Sequence, residues 1–175
     1  MKYSAKHLHR LLATIGIGFA ITGCGTTPNS GAPTQTAIAS TTTPAAQSTA
    51  TAADLEQAQS ALVSFFSALQ GGRYTEASML FGGSYADLTN FNPMVPVDDQ
   101  AQLLGNACTM NGFQCLEIQN VVQAQAISPT RFAFVVEFQN EDGSTFTRPT
   151  QSQWPYTVEK IGEQFLVQEL PVYVQ

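Results

Sequence analysis

Histidine is nearly absent from this sequence. The chain has 2 histidines in 175 residues, and both, His7 and His9, lie within its first ten positions. The remainder therefore has no imidazole to act as a general base or as a metal ligand. This excludes a Ser-His-Asp hydrolase triad and a histidine-containing zinc site after residue 10.

Positively charged residues are also scarce after residue 10. Four of the 7 lysines and arginines lie there against all 13 acidic residues, which gives a net charge of about −9. Nucleic-acid binding needs a basic surface, and so does adsorption to anionic lipid headgroups. The composition therefore predicts no nucleic-acid partner and no direct docking of a folded domain on such lipids. The four basic residues are Arg73, Arg131, Arg148 and Lys160.

Catalytic motifs and a membrane-spanning run are also missing. The sequence has no glycine-rich phosphate loop, no nucleophile elbow and no zinc-ligand spacing, so it predicts neither a cofactor nor a metal site. The apolar stretch from Leu11 to Ile21 would rise only about 16 Å as a helix, against a hydrocarbon core of about 30 Å. A permanent transmembrane helix is not expected from it.

The N-terminal segment has the order of an export signal. Three basic residues and no acid precede the apolar stretch, as in a charged n-region followed by an h-region. The stretch ends in Ile21-Thr22-Gly23-Cys24, which resembles the lipobox of bacterial lipoproteins, with Ile21 where Leu is usual. The resemblance implies that residues 1–23 are a signal peptide and that Cys24 carries a lipid. The alternative is an ordinary secretory signal cut nearby, with Cys24 unmodified.

Lipidation of Cys24 would determine where the protein resides. Each buried methylene contributes ~0.8 kcal/mol, so two or three acyl chains anchor a protein firmly. The expected location is the extracytoplasmic side of the cell membrane or of an outer membrane. Gly25 follows Cys24 in place of the Asp that often retains such proteins in an inner membrane, and the choice between the two membranes stays open.

Residues 24–53 are expected to form a flexible tether. From Gly25 to Ala53 the chain is rich in Thr, Ala, Ser and Pro, has no charge, and contains Ile38 as its only large apolar residue. Such a segment buries too little apolar surface to offset the entropy of ordering it. A coil of this length has a reach of about 30 Å.

Residues 54–175 are predicted to form one domain that begins with three helices. The first has Asp54 as its expected N-cap and ends at Gly71-Gly72. Its apolar positions recur every three or four residues. They are Leu55, Ala58, Leu62, Phe65 and Leu69. After it we expect a short helix over Tyr74–Phe81 capped by Thr75, a loop rich in Asn and Pro, and a helix from Gln100 to about Cys108 capped by Asp98-Asp99.

Strands are predicted after Cys115, where the apolar period changes to two. Asp142-Gly143 predicts a hairpin turn. The expected strands are Leu116–Ala126, Arg131–Gln139, a return over Ser144–Thr147 that Trp154–Ile161 continues, and Gln164–Leu170. Helices followed by a four-stranded antiparallel meander define an α+β fold.

The run Ala61–Ala77, ALVSFFSALQGGRYTEA, resembles the opening of the nuclear-transport-factor-2-like (cystatin-like cone) superfamily. Its members often begin with an aromatic-rich helix, a glycine-containing turn, an aromatic residue and a helix with Glu-Ala. The resemblance implies a curved sheet around the long first helix and a cone-shaped pocket. Because the superfamily includes isomerases, dehydratases, polyketide cyclases, transport factors and accessory domains, fold alone does not decide function.

Four residues are the candidates for lining such a pocket: Tyr85, Asp87, Trp154 and Tyr156. None belongs to a catalytic motif. The lack of histidine favours a non-enzymatic envelope module that binds a partner protein or a small apolar ligand. The alternative is a carboxylate-dependent isomerase or hydrolase in which an acid such as Asp87 is the base.

Cys108 and Cys115 are the remaining cysteines once Cys24 is modified. Two cysteines in one short segment of an exported domain predict a disulfide. Asn111-Gly112 between them can make the tight reversal that the bridge requires. Two thiolates alone are a poor zinc site, since zinc usually has four ligands.

Lipidation of Cys24 can be tested by mass. We expect the membrane-extracted protein to lack residues 1–23 and to carry the mass of a diacylglyceryl group. The Cys24→Ala variant should leave the membrane or keep its signal peptide, because it has no thiol to accept the lipid. A soluble, unlipidated wild-type product from a lipoprotein-processing host would contradict the prediction.

Overall fold

The computed structural model describes residues 50–174, and these form an α+β fold of helices followed by an antiparallel sheet. The predicted signal peptide, Cys24 and nearly all of the predicted tether lie outside the described residues. The helices are α1 (Ala52–Gln70), α2 (Tyr74–Met79), α3 (Ala86–Phe91) and α4 (Gln100–Thr109). The strands are β1 (Phe113–Gln114), β2 (Glu117–Ala126), β3 (Arg131–Gln139), β4 (Trp154–Ile161), β5 (Gln164–Val167) and β6 (Val172–Tyr173). Among residues 50–174, no helix is both long and apolar enough to cross a membrane.

Helix α1 begins earlier than predicted, inside the segment expected to be tether. Its N-cap is Thr51, whose hydroxyl accepts the Asp54 backbone N–H at 3.1 Å, while the Asp54 carboxylate accepts the Thr51 N–H at 3.1 Å. The prediction of Asp54 as the N-cap was therefore wrong. Asp54 instead fills the third helical position, where a capping box carries its acceptor side chain.

An ion pair joins the start of α1 to the sheet. Lys160 of β4 donates from Nζ to Asp54 Oδ1 at 2.7 Å. This hydrogen bond, followed by those from Thr51, lowers the pKa of Asp54 to about 2. The carboxylate is thus ionised at any physiological pH and fixes one end of the helix over β4.

The main sheet has the order β2-β3-β4-β5 with every pair antiparallel, and it is open. Alternate residues of β3 are buried as the period of two predicted. They are Phe132, Phe134, Val136 and Phe138. The buried side of α1 forms the core with them, through Leu62, Phe65, Phe66 and Leu69. At about 25 cal/mol per Å² of apolar surface removed from water, this contact is the main source of stability.

The short elements differ from the predictions. Helix α2 starts after Arg73 with no side-chain cap, so the predicted cap at Thr75 was wrong. Helix α3 lies within the predicted loop. A six-residue helix spans fewer than two turns and shows no clear period. Helix α2 has the same length, but glycine pairs on both sides of it indicated where it begins and ends. Helix α4 agrees with its prediction, since the Asp99 carboxylate accepts the Gln102 N–H at 3.1 Å.

The chain does not return as a strand over Ser144–Thr147. Asp142 and Gly143 make the expected turn, in which the Asp142 carboxylate accepts the Ser144 N–H at 2.9 Å. After it, the main-chain contacts to β3 are an isolated bridge from Thr145 to Gln139 and one hydrogen bond from Phe146 to Phe138. The chain then leaves the sheet and re-enters it at β4, because the adjacent edge of β3 is occupied by β4.

A second, two-stranded sheet and a disulfide organise the other part of the domain. Strand β1 pairs antiparallel with β6, with Phe113 opposite Tyr173. The predicted disulfide is present: Cys108 of α4 is bonded to Cys115 after β1, with Cα atoms 5.4 Å apart. The bridge holds the end of α4 next to the small sheet and the start of β2.

Removing the disulfide should destabilise the protein measurably. With a sequence separation of 7, the chain-entropy model gives a loss of about 2.5 kcal/mol in the free energy of unfolding. We expect this loss in denaturant titrations of the Cys108→Ser/Cys115→Ser variant. Wild-type protein unfolded under reducing conditions is the control and should match it. Two titratable thiols in the unreduced wild type would contradict the bridge.

Candidate functional site

Trp154 and Tyr156 lie on the buried face of β4. Tyr156 is 3% exposed and packs edge-on against Phe66, with ring centroids 4.9 Å apart. Burial, and then the negative charge of Glu169, raise the pKa of Tyr156 above its usual range. The phenol therefore stays neutral and acts as part of the core.

Trp154 belongs to the same aromatic cluster. Its ring stacks on Phe146 at 5.1 Å and lies 5.7 Å from Phe138, which Tyr156 also contacts. Its indole Nε1 is buried without a hydrogen-bond partner among the described residues. The structure thus brings Trp154 and Tyr156 together, through Phe138.

Tyr85 and Asp87 lie at the start of α3. The Tyr85 ring packs edge-on against Phe81 at 5.0 Å, and its hydroxyl is buried without a described partner. Burial raises the pKa of Tyr85 to about 12. Asp87 is in the first turn of α3 and is exposed to solvent. The carboxylate and the Tyr85 hydroxyl therefore have different environments, one in water and one in the core.

A continuous chain of aromatic contacts fills the space between these residues. From Phe81 it passes to Phe65 at 5.7 Å, then to Phe66 at 5.1 Å, and on to Tyr156. Each such ring pair contributes about 0.5–1.5 kcal/mol beyond the area it buries. The sequence predicted that Tyr85, Asp87, Trp154 and Tyr156 line a pocket. In the structure the three aromatic side chains pack on other rings, and Asp87 faces solvent.

Two surface grooves open elsewhere on the described part of the domain. One, of about 350 Å³, lies between α1, α2 and β5, where Gln57, Ser60 and Ser64 face Leu80 and Phe165. The other, of about 180 Å³, is lined mainly by polar side chains of the β2–β3 end. Neither groove includes any of the four predicted pocket residues.

The structure reveals a different feature, a group of exposed apolar side chains on α3, on the connection from α3 to α4 and at the end of α4. Its side chains are exposed by 47% to 92%, although single exposed apolar residues are ordinary on proteins. We call this set the methionine surface. It consists of Phe91, Met94, Val97 and Met110. Phe91 also packs on Tyr173 of β6 at 5.5 Å, which ties the surface to the small sheet.

Asn92 holds the two segments of the methionine surface together. It is a buried side chain whose Nδ2 donates to Asn111 Oδ1 at 2.9 Å and to Leu88 O at 2.8 Å. Its Oδ1 accepts from Asn106 Nδ2 at 3.0 Å. Because a buried amide is costly unless its hydrogen bonds are made, this network fixes Phe91 beside the segment that carries Met110.

Sequence reasoning missed this surface and its asparagine network. The available signal was charge: between Arg73 and Arg131 the chain has no basic residue. The acids near the methionine surface in sequence are Asp87, Asp98 and Asp99. Asp98 directly follows Val97, and an apolar site next to charges of one sign suits a partner of the opposite charge.

No protein-family model matches this chain, and neither a curated protein nor a solved structure matches it. Its function therefore has to be inferred from its own residues.

The buried Tyr85 hydroxyl has no hydrogen-bond partner among the described residues, which gives a prediction about stability. We expect Tyr85→Phe to keep or raise the free energy of unfolding, by up to about 1 kcal/mol, because it removes a buried donor without a partner. Phe81→Ala is the contrasting variant and should lower it by about 3 kcal/mol through loss of packed ring surface. Chemical denaturation measures both. A marked loss of stability in Tyr85→Phe would show that the hydroxyl has a partner.

Proposed function

We propose that this protein is a lipid-anchored, extracytoplasmic lipoprotein whose domain is a non-enzymatic module that binds another envelope protein. The observation that carries the proposal is the methionine surface: four large apolar side chains, one of them 92% exposed, on segments fixed by the buried Asn92 network. We propose that these side chains form one docking surface, because contiguous exposed apolar area marks protein-binding sites. The lipid on Cys24 would present the domain at a membrane.

We propose that the domain is a variant of the nuclear-transport-factor-2-like cone in which side chains fill the central space. The order of helices before an open antiparallel sheet, with α1 packed against that sheet, supports this relationship. In our proposal the aromatic chain from Phe81 to Tyr156 occupies the space that a ligand would take in a hollow member. Binding then takes place at the exterior, through rigid side chains.

Charge indicates the kind of partner. The acids next in sequence to the methionine surface are Asp98 and Asp99, which precede α4, and Asp87 of α3. A partner that buries Met94 and Val97 would therefore bring apolar anchors surrounded by Lys or Arg. Such complementarity raises the association rate and excludes acidic competitors.

The enzymatic alternative requires a carboxylate whose pKa is raised by burial. The shifts found among the described carboxyl groups have the opposite sign. Hydrogen bonds from Gln153 and Asn120 lower the pKa of Glu137, and those from Ser144 lower that of Asp142. Asp87 is exposed. No observation on residues 50–174 therefore favours an acid–base role over binding.

A photoreactive amino acid at Met94 tests the proposal in intact envelopes. We expect it to form one dominant cross-link to a protein, while the same group at exposed Thr150 does not, because only the former lies in the methionine surface.

Charge reversal supplies the matched control for this experiment. Asp98→Lys should reduce the Met94 cross-link several-fold by repelling a basic partner, and Glu163→Lys, the same charge change in the turn between β4 and β5, should not. Equal labelling from Met94 and Thr150, or equal effects of the two lysines, would refute the proposed site.

A further inference from the structure

The two edge strands of the main sheet, β5 and β2, differ in how their backbone groups are paired. At β5, the Val167 N–H donates to Leu80 O at 2.8 Å, and the Gly82 N–H donates to Val167 O at 2.8 Å. The segment after α2 thus covers that edge in part. Strand β2 forms the opposite edge, and among residues 50–174 it pairs on one side only, with β3.

The free edge of β2 has a definite hydrogen-bonding register. Ile127 donates its N–H to Arg131 O at 2.8 Å, so the Ile127 backbone points toward β3. Backbone groups alternate in direction along a strand. The N–H and C=O groups of Ala124 and Ala126 therefore point away from β3, to the open side. Register irregularities affect β2 only before Gln123, and the pairing from there to Ala126 is regular.

From Gln123 to Ala126 the strand has none of the residues that commonly prevent strand pairing; its two register irregularities lie before Gln123, and Pro129 lies after the strand. Edge strands are commonly blocked by Lys, by inward-pointing charge or by Pro. From Ile118 to Thr130 this chain has no charged residue. Residues 122–127 are all exposed, including Val122 at 49% and Ile127 at 58%. Ala124 and Ala126 stand opposite the fully buried Phe134 and Phe132 on β3, so the apolar face of the sheet continues to an uncovered edge.

We propose that β2 pairs antiparallel with β2 of a second copy of this chain, about a two-fold axis at Gln125. Ala124 then exchanges both backbone hydrogen bonds with Ala126 of the second copy, and the two four-stranded sheets become one continuous sheet. A two-fold axis makes the interface self-complementary, as in most homodimers.

Charge determines where a second copy can bind. Residues 50–174 contain all 13 acids of the chain, so two copies repel each other over most of their surfaces. The stretch 118–130 is where they can meet without opposing carboxylates. In this register Glu117 lies beyond the paired residues, and each small alanine faces another alanine, so neither charge nor bulk prevents the approach.

Cysteine cross-linking of the full-length chain in mild detergent tests the register. Gln125 faces itself across the axis, with Cα atoms about 4.5 Å apart, within the range of a disulfide. Gln123 is the matched control on the same strand and face, because its two copies would lie about 13 Å apart. Under mild oxidation we expect Gln125→Cys to give about tenfold more cross-linked dimer than Gln123→Cys, since only the former is within bonding distance. The wild type supplies the background from native cysteines.

Sedimentation of the same full-length protein tests the interface without a new thiol. We expect a concentration-dependent dimer that Ala124→Pro abolishes, because proline removes an N–H used only between copies. Circular dichroism should show that the variant stays folded. Gln125→Lys gives an independent disruption by placing two like charges at the axis.

Three results would overturn the dimer. They are a monomer at all concentrations without Gln125→Cys cross-linking, equal cross-linking at positions 123 and 125, and a dimer that survives both disrupting variants. Because β2 is separate from the methionine surface, these results leave the proposed function unaffected, and failure of the proposed function leaves the dimer test valid.

Discussion

The packing of α1 on the main sheet is the interaction on which the rest of this structure depends. Phe65 and Phe66 of α1 link the aromatic residues after α2 to those of β3 and β4. A protein interior is packed as densely as an organic crystal, so rings of this size leave little room between them. The same packing that makes the domain stable also fills the space in which the sequence predicted a pocket.

An ion pair, a disulfide and a hydrogen-bond network hold the parts of the domain that the core does not fix. The Asp54–Lys160 ion pair holds the start of α1 over β4, and the Cys108–Cys115 bridge holds the end of α4 near the small sheet. Between them, Asn92 joins α3 to the residues that follow α4. The hydrogen bonds of Asn92 hold the connection after α3 in place. Its exposed apolar side chains are therefore fixed in position. We infer that the rigidity serves binding, since a preordered surface loses less entropy when a partner docks.

The uneven charge of the chain connects the two proposed interfaces. Repulsion between acidic copies excludes most self-contacts, which leaves the uncharged β2 edge for a second copy. Asp98 and Asp99 directly follow Val97 in sequence, and in our proposal they favour a basic partner for the methionine surface. In our proposals the excess of acidic residues thus restricts the β2 edge to a second copy and favours a basic partner at the methionine surface.

Sequence alone determined the elements whose signals are local and long. The period of α1, the alternation of β3, the Asp99 cap of α4 and the short spacing of Cys108 and Cys115 each rest on contacts within a few residues, and each agrees with the structure. The α+β class followed from their order. The helix α3 and the two-residue strands β1 and β6 were not predicted, because such short elements show no clear period, whereas the equally short α2 and β5 follow glycine turns that indicate where they begin.

Only the tertiary structure decided what the candidate residues do. Tyr85, Trp154 and Tyr156 could equally have lined a cavity or filled one, because residue type does not reveal which rings meet across the core. The position of Asp87 in water, the pairing of Asn92 with residues of and after α4, and the uncovered edge at Ala124 likewise depend on contacts between distant parts of the chain. Such contacts are set by how whole elements pack, and no local pattern records them.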